Sequence, residues 1–275
     1  MTITEPGIYP DIPPETYHGG IFPNSVSYST LKLLLDEAGP AKYRHALDSP
    51  RVEKKAFDLG TALHAELLGK GRERLEIIDA ADYRTKAARE ARDAAYATGK
   101  TPLLPKDVQL LDEAAEGIPD HIKAVFQDGQ AEVAMLYQHP AGINVRGQID
   151  FLRTDAIVDL KTIQATDTRT IERQIWDYRY YLQAATYQLL HEELTGESLP
   201  YFIIAVELKP PYLARTITLS EEYMELGREH LAKAIDLYQT CTREDHWPGH
   251  PPTPTVIDPP IWAYDDELEG VELTL

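Results

Sequence analysis

Apolar positions in the first half of the chain follow the period of an α-helix. In KKAFDLGTALHAELLG, residues 54–69, leucines recur at every fourth position, which predicts an amphipathic helix. The stretch SYSTLKLLLDEAGPAKYRHALD predicts an earlier helix that is capped near Ser29, interrupted at Gly39 and Pro40, and then resumed. Two further helices are predicted over about 80–98 and about 105–116. The first half is therefore expected to be helical.

The pattern changes to the period of a β-strand at Ala131. Three consecutive strands are predicted in AEVAMLYQH, INVRGQIDFLR and AIVDLK. One long helix should then run from about Thr168 to Leu194, followed by two strands and a closing helix that begins at Ser220. This order predicts an α/β or α+β fold, in which a central mixed sheet is flanked by helices and carries a helical N-terminal layer.

The length of 275 residues and the hydrophobic content of 43% allow a large buried core. We expect one domain over residues 1–243, with a helical part over about 25–130 and a sheet core over about 131–243. Residues 244–275 predict an acidic, proline-rich tail, since they contain eight acidic residues and no Lys or Arg. The sequence has no apolar run near the roughly 20 residues of a membrane span and no signal-peptide pattern at its start. A cytoplasmic protein that does not bind membranes is therefore expected.

The formal charge of −18 argues against a general nucleic-acid binder, because binding to phosphates depends on Lys and Arg. Basic residues nevertheless cluster locally, and each cluster fits either a basic track or a solvated helix face. The two clusters are Lys42, Arg44, Arg51, Lys54 and Lys55, and Arg84, Lys86, Arg89, Arg92 and Lys100. The single cysteine, Cys241, excludes an internal disulfide framework and any four-cysteine iron–sulfur cluster.

Polar residues interrupt the predicted strands in GQIDFLRTDAIVDLKT, residues 147–162. Asp159 and Lys161 are two apart and so share a face of their strand, and Asp150 lies within reach across a short turn. Such groups are costly to bury unless they pair or bind a cation. Two carboxylates suit Mg²⁺ or Mn²⁺, which can activate water for attack on a phosphodiester. A buried ion pair that fixes the strand register explains the spacing equally well.

Four motifs, which occur along the chain in the family's order, resemble the PDDEXK nuclease superfamily. GQID followed by VDLKT is similar to its G-x-x-D and D/E-x-K signature, and GTALH is similar to the G-x-x-x-H motif of RecB-like members. YYLQAATY matches the Q-x-x-x-Y motif, and SYSTLKLLLDEAGPAKY resembles the serine-led helix and proline turn that opens many of these domains. The layout over about residues 10–240 most resembles the exonuclease VIII, or RecE-type, branch found in phages and prophages.

The resemblance implies a restriction-endonuclease-like core and a role for each motif residue. The implied catalytic residues are Asp150, Asp159 and Lys161. Two Mg²⁺ or Mn²⁺ ions are implied, and their implied ligands are His64, Asp150, Asp159, the carbonyl of Leu160 and, for the second ion, Glu132. Nucleic-acid contacts are implied for Arg179, Gln183 and Tyr187. Other interpretations stay open, since His64 is also typical of a hydrogen-bonded core histidine and the stripe of Trp176, Arg179, Gln183 and Tyr187 is also typical of core packing.

The function that the resemblance implies is hydrolysis of linear double-stranded DNA from 5′ ends, which leaves 3′ tails for recombination. It further implies a homo-oligomer and a RecT-like single-strand annealing partner, while the single cysteine fits a member without an iron–sulfur cluster. An endonuclease or a single-strand nuclease with the same chemistry is the nearest alternative. A non-catalytic DNA-binding module is a more distant one, because all the expected polar residues are present.

Overall fold

The computed structural model describes residues 2–49 and 55–259. Its helices are α1 (Pro14–His18), α2 (Tyr28–Leu34), α3 (Gly39–Asp48), α4 (Lys55–Leu68), α5 (Lys86–Ala97), α6 (Pro105–Gly117), α7 (Asp120–Lys123), α8 (Thr168–Tyr178), α9 (Tyr180–Thr195) and α10 (Glu221–Glu244). Its strands are β1 (Gly7–Tyr9), β2 (Ser25–Ser27), β3 (Leu75–Ile77), β4 (Thr101–Leu103), β5 (Gly129–Gln138), β6 (Asn144–Arg153), β7 (Ile157–Ile163), β8 (Tyr201–Glu207) and β9 (Ala214–Thr218). Among the described residues, no helix is both long and apolar enough to cross a membrane.

The predicted central mixed sheet is confirmed. Its strands lie in the order β1-β5-β6-β7-β8-β9, and β2 pairs with β6 beside this path. The β5–β6 and β6–β7 pairs are antiparallel, as expected for consecutive strands joined by short turns, and β7–β8 is parallel. A parallel pair needs a long crossover, which α8 and α9 provide. The strands β3 and β4 form a separate small parallel sheet.

Strand β6 changes partner along one of its edges. Residues Asn144–Arg146 pair with β2, and Phe151 and Leu152 pair with β7. Neither of these two ladders includes residues 147–150, so β6 and β7 diverge just before Asp150. The sheet therefore has an opening at the position where the sequence places its first carboxylate.

Alternate residues of β7 enter two different hydrophobic cores. Ile157 packs on one face of the sheet with residues of α9 and α10, such as Leu182 and Leu231. Val158 and Leu160 pack on the other face with Leu63 of α4 and with Ile204 of β8. Since β7 is covered on both faces, any polar group on it is taken out of water unless it lies at the opening.

The single helix predicted from Thr168 to Leu194 is wrong. Arg179 separates α8 from α9 and adopts the left-handed conformation, with φ 54° and ψ 48°. This conformation is costly for a residue other than glycine, but the guanidinium of Arg179 donates to Asp36 Oδ1 at 2.7 Å and to the carbonyl of Lys32 at 3.1 Å. Contacts with a distant helix thus stabilise a break that the local periodicity does not reveal.

Smaller differences concern the ends of elements. The first predicted helix is capped by Ser27 and not near Ser29, and α5 begins at Lys86, about six residues later than predicted. The three-residue strands β1 to β4 were not predicted, because such short segments have no measurable alternation.

The chain that follows α10 folds back onto α3. The ring of Trp247 stacks on Tyr43, with centroids 5.2 Å apart and planes at 10°, and the amide of Ala41 donates to the carbonyl of Pro248 at 3.2 Å. The first residues of the predicted tail therefore contact the N-terminal helices. Residues 260–275 of that tail, together with Arg51, Lys54 and the side chain of Lys55, lie outside the described residues.

Candidate active site

Strand β7 places Asp159 and Lys161 side by side, which confirms the predicted shared face. Asp159 is completely buried, and Lys161 Nζ lies 2.5 Å from its Oδ2 atom. The other oxygen, Oδ1, accepts a hydrogen bond of 2.8 Å from Gln183 Nε2 on α9. The carboxylate is thus held from two sides by groups from different elements.

Asp150 and His64 meet β7 at the opening of the sheet. Asp150 Oδ2 accepts a hydrogen bond of 2.8 Å from the amide of Leu160, so the side chain replaces a backbone partner where β6 and β7 diverge. His64 Nδ1 lies 3.8 Å from the same oxygen, and His64 Nε2 lies 2.9 Å from the carbonyl oxygen of Leu160. The structure therefore brings together His64, Asp150 and Leu160, as the resemblance implied, next to Asp159 and Lys161 along β7.

Burial and neighbouring charges shift the pKa of both members of the Asp159–Lys161 pair. Burial raises the pKa of Asp159 to about 6; the positive charge of Lys161 opposes this rise and the negative charge of Asp150 adds to it. Burial alone would lower the pKa of Lys161, but Asp159 and Asp150 outweigh it, so that pKa lies above its usual value. The site thus pairs two carboxylates with a lysine held as an ammonium ion.

A close approach of α9 to β6 positions Gln183. A Cβ atom at Gly147 would lie 2.8 Å from side-chain atoms of Tyr187 and Leu190, nearer than real Cβ contacts allow. Gln183 is buried and also donates to the hydroxyl of Tyr187 at 3.3 Å. The glycine of GQID therefore lets the helix come near enough for Gln183 to reach Asp159, with Tyr187 supporting the amide from behind.

Aromatic rings and a second lysine lie near Lys161. The sequence did not predict these neighbours. Lys161 Nζ lies 5.0 Å from the ring centroid of Tyr180, and Lys32 Nζ lies 5.1 Å from that of Tyr28. Burial, and after it the charges of Lys161 and Arg179, lower the pKa of Lys32. The signal for Lys32 was available as a lone cation within the apolar run TLKLLL, whereas the contact of Tyr180 depends on the unpredicted break at Arg179.

The donor set fits a hard divalent cation. His64 Nε2 and the carbonyl oxygen of Leu160 are 2.9 Å apart, which is a hydrogen-bond distance and is also close to the separation of about 3 Å between adjacent ligands of an octahedral Mg²⁺. Gln183 Oε1 is buried and makes no hydrogen bond within the described chain, whereas Asp159 Oδ2 is paired with the ammonium group of Lys161. In residues 2–49 and 55–259, no three His, Cys, Asp or Glu side chains are grouped closely enough to form a metal site on their own. The carbonyl of Leu160 would therefore have to complete the set.

Two of the predicted site residues form ion pairs of their own. Glu132 lies in β5 with φ 55° and is paired with Arg74 at 3.2 Å, in a cleft that Lys70 and Asp11 also line. Arg179 is bonded to Asp36, as described above. The roles of Glu132 as a ligand and of Arg179 as a phosphate contact remain predictions, and each would require its present ion pair to open or to be shared.

The described cations of the two basic clusters are largely paired with acidic neighbours. Lys42 lies 3.8 Å from Asp36, and Arg44 forms a bidentate pair with Asp48. In the second cluster, four of the five cations have an acidic partner within 4.0 Å: Arg84, Lys86, Arg92 and Lys100. These pairs favour the interpretation of solvated helix faces over that of a continuous basic track.

Comparisons with known proteins support the fold. Residues 27–253 match the model of a PDDEXK-like domain of unknown function (DUF3799). The search of curated proteins finds no significant match. A crystal structure of a protein named "putative exonuclease" from Eubacterium rectale is similar, with 16% identity, a TM-score of 0.58, and coverage of 95% of this chain and 99% of that one. An alkaline exonuclease from Laribacter hongkongensis matches at 17% identity and a TM-score of 0.28, over 67% of this chain and 97% of that one.

Proposed function

Because the chain belongs to the PDDEXK-like family, we propose that it is a metal-dependent nuclease that hydrolyses phosphodiester bonds of DNA. The observation that carries the proposal is the completely buried carboxylate of Asp159, held between Lys161 and Gln183 beside the opening that Asp150 and His64 line. A structural ion pair would need only Asp159 and Lys161. The convergence of His64, Asp150 and the carbonyl of Leu160 on the same place favours a cation site.

The proposed ligands of Mg²⁺ or Mn²⁺ are His64, Asp150, Asp159 and the carbonyl of Leu160. When bound, such a cation polarises the phosphodiester and lowers the pKa of a water molecule. Lys161 is proposed to orient the attacking water and to stabilise negative charge that develops on the phosphate. Gln183 fixes the orientation of Asp159, as partners of metal ligands commonly do. A second ion, implied by the resemblance, would need Glu132 to leave Arg74.

The finer proposal is an exonuclease on linear double-stranded DNA that proceeds from 5′ ends and leaves 3′ tails. It is supported by the resemblance of the layout over about residues 10–240 to the RecE-type branch, and the similar protein from Eubacterium rectale is itself named "putative exonuclease". A homo-oligomer and a RecT-like annealing partner belong to the same proposal. Recombination at DNA ends, in the cytoplasm of a phage-infected or prophage-carrying cell, is the corresponding role.

The test compares blunt linear duplex with covalently closed circular duplex, in Mg²⁺ or Mn²⁺, with each strand labelled at a different end. We expect the linear DNA to lose nucleotides from its 5′ ends while the circle stays intact. Cutting of the circle at the same rate would identify the endonuclease alternative. If neither DNA nor a single strand is hydrolysed with either metal, the nuclease proposal is overturned.

A further inference from the structure

The end of α8 exposes two large aromatic side chains that the proposed hydrolysis does not use. Tyr178 is 51% exposed and Trp176 is 55% exposed. Both belong to the stretch WDYRYY, which leads directly into α9. Since large aromatic residues are highly buried on average, a half-exposed ring beside a candidate active site is available to contact a ligand.

Tyr178 is joined to the site by a continuous stack. Its ring lies on that of Tyr180, with centroids 5.7 Å apart and planes at 19°. The ring of Tyr180 in turn lies 5.0 Å from Lys161 Nζ. A continuous row therefore leads from the exposed ring of Tyr178, through the half-buried ring of Tyr180, to the ammonium group of Lys161, which is proposed to be catalytic.

Trp176 points to a different part of the molecule. It stacks on Tyr181, with centroids 5.9 Å apart and planes at 28°, and Tyr181 contacts His230 and Tyr223 of α10. The two exposed rings are thus similar in size and exposure, but only Tyr178 is connected to Lys161.

The backbone that carries Tyr178 is fixed on both sides. The hydroxyl of Tyr28 donates to the carbonyl of Tyr178 at 2.6 Å, and the next residue, Arg179, is held in its left-handed conformation by Asp36. Because this backbone is already held in place, little conformational entropy is lost when a ligand binds to the ring of Tyr178, which favours binding.

The charge beside the stack suits a nucleotide. Lys32 lies over the ring of Tyr28, and the nearby carboxylate of Asp36 is itself paired with Arg179. A flat exposed ring with a cation nearby is the combination that binds single-stranded nucleic acid, since bases stack on the ring and phosphates meet the cation.

We propose, resting on the nuclease function above, that Tyr178 is a stacking platform for an unpaired nucleobase of the strand whose phosphodiester reaches Asp159 and Lys161. A base inside a duplex is stacked on both faces, and only an unpaired terminal nucleotide can leave the helix to lie on Tyr178 while its own strand reaches Asp159 and Lys161. The site therefore takes a frayed or single-stranded end, and duplex DNA with an unpaired terminal nucleotide is preferred over blunt DNA. Stacking tolerates any base, so the preference does not depend on sequence.

Binding is tested with the full chain and a duplex that carries an unpaired terminal 2-aminopurine, with Ca²⁺ in place of Mg²⁺ and gel analysis to verify that the DNA stays intact. We expect the wild type to quench the 2-aminopurine fluorescence. Tyr178→Ala should bind about tenfold more weakly, and Tyr178→Phe and Tyr178→Trp should bind within about twofold of the wild type. The matched control, Trp176→Ala, should also bind within about twofold.

A second DNA, with an abasic site in place of the terminal nucleotide, isolates the stacking contribution. We expect wild type and Tyr178→Ala to bind the abasic DNA equally, because the ring has no base to contact. Equal binding of the 2-aminopurine DNA by these two proteins would overturn the inference, as would an equal loss in Tyr178→Ala and Trp176→Ala.

Hydrolysis by the wild type in Mg²⁺, measured in parallel, separates the two proposals. If the wild type hydrolyses DNA and Tyr178 makes no difference to binding, only the stacking platform is overturned. If binding depends on Tyr178 and no DNA is hydrolysed, the platform stands and the protein is a binding module.

Discussion

Two carboxylates on the central sheet have a cationic partner, and their surroundings differ. Asp159 is completely buried, and Lys161, Gln183, Asp150 and His64 all lie around it. Glu132 is partly exposed, with 18% of its side chain accessible, and is paired with Arg74. Both carboxylates were predicted from the sequence to be metal ligands.

The difference shows that a cationic partner does not by itself decide the role of a carboxylate. Lys161 lies on the same strand as Asp159, so their ion pair does not link distant parts of the chain. Arg74 comes from a separate segment, 58 residues earlier in the chain, and its pair with Glu132 links that segment to the sheet. We therefore propose a catalytic role for the first pair and a stabilising role for the second, and the following predictions test that division.

Removal of the lysine should have the largest effect. Lys161→Ala is expected to slow hydrolysis of linear duplex by about 10³-fold, because the positive charge opposite the phosphate is lost. The effect is measured as the rate of nucleotide release from linear duplex in Mg²⁺. Lys100→Ala removes a half-exposed lysine that is paired with Glu76 and serves as the matched control. A rate within a few-fold of wild type would exclude the catalytic role of Lys161.

Gln183→Ala should slow hydrolysis less than Lys161→Ala does, because it acts only by weakening the binding of the cation. Without the amide, Asp159 loses the hydrogen bond that orients it, and partners of metal ligands typically contribute about 10–100-fold in metal affinity. Calorimetric titration with Mn²⁺ should show the weaker binding independently of activity. Gln188→Ala, on the same helix but bonded to the carbonyl of Leu199, is the control. Unchanged affinity in Gln183→Ala would mean that Gln183 does not position a ligand.

Gly147→Ala tests the close approach of α9. The added methyl group would meet Tyr187 and Leu190 at 2.8 Å, and such overpacking costs about 1–3 kcal/mol. We expect the melting temperature to fall by several degrees, with weaker Mn²⁺ binding as Gln183 is displaced. Gly142→Ala offers a contrast, since a Cβ atom there meets nothing within 4 Å, although its positive φ adds some strain. An unchanged melting temperature in Gly147→Ala would contradict the tight packing.

Glu132→Gln should have the smallest effect on the rate. Because its carboxylate is held by Arg74, we expect hydrolysis within about threefold of wild type and a loss of stability of about 1 kcal/mol, read from thermal unfolding. A loss of activity comparable to that in Lys161→Ala, with one Mn²⁺ fewer bound, would instead make Glu132 a ligand of a second ion.

The strands that carry the site could be predicted from sequence, and the reason is physical. β6 alternates clearly, and β5 and β7 contain short apolar runs that are typical of strands buried on both faces. The shared face of Asp159 and Lys161 then follows from the geometry of a strand. The break at Arg179 could not be predicted, because the contacts that stabilise it come from Lys32 and Asp36, more than 140 residues away. The platform of Tyr178 depends on that break and was missed for the same reason.

The pairings of β1 and β2 give the N-terminal segment a protective role. β1 covers the outer edge of β5, and β2 covers the edge of β6 that β7 leaves free. A chain that lacked its first 30 residues would expose backbone donors and acceptors on both strands, and exposed edges of this kind recruit strands from other molecules. Truncation at this end should therefore cause aggregation even though every proposed catalytic side chain remains.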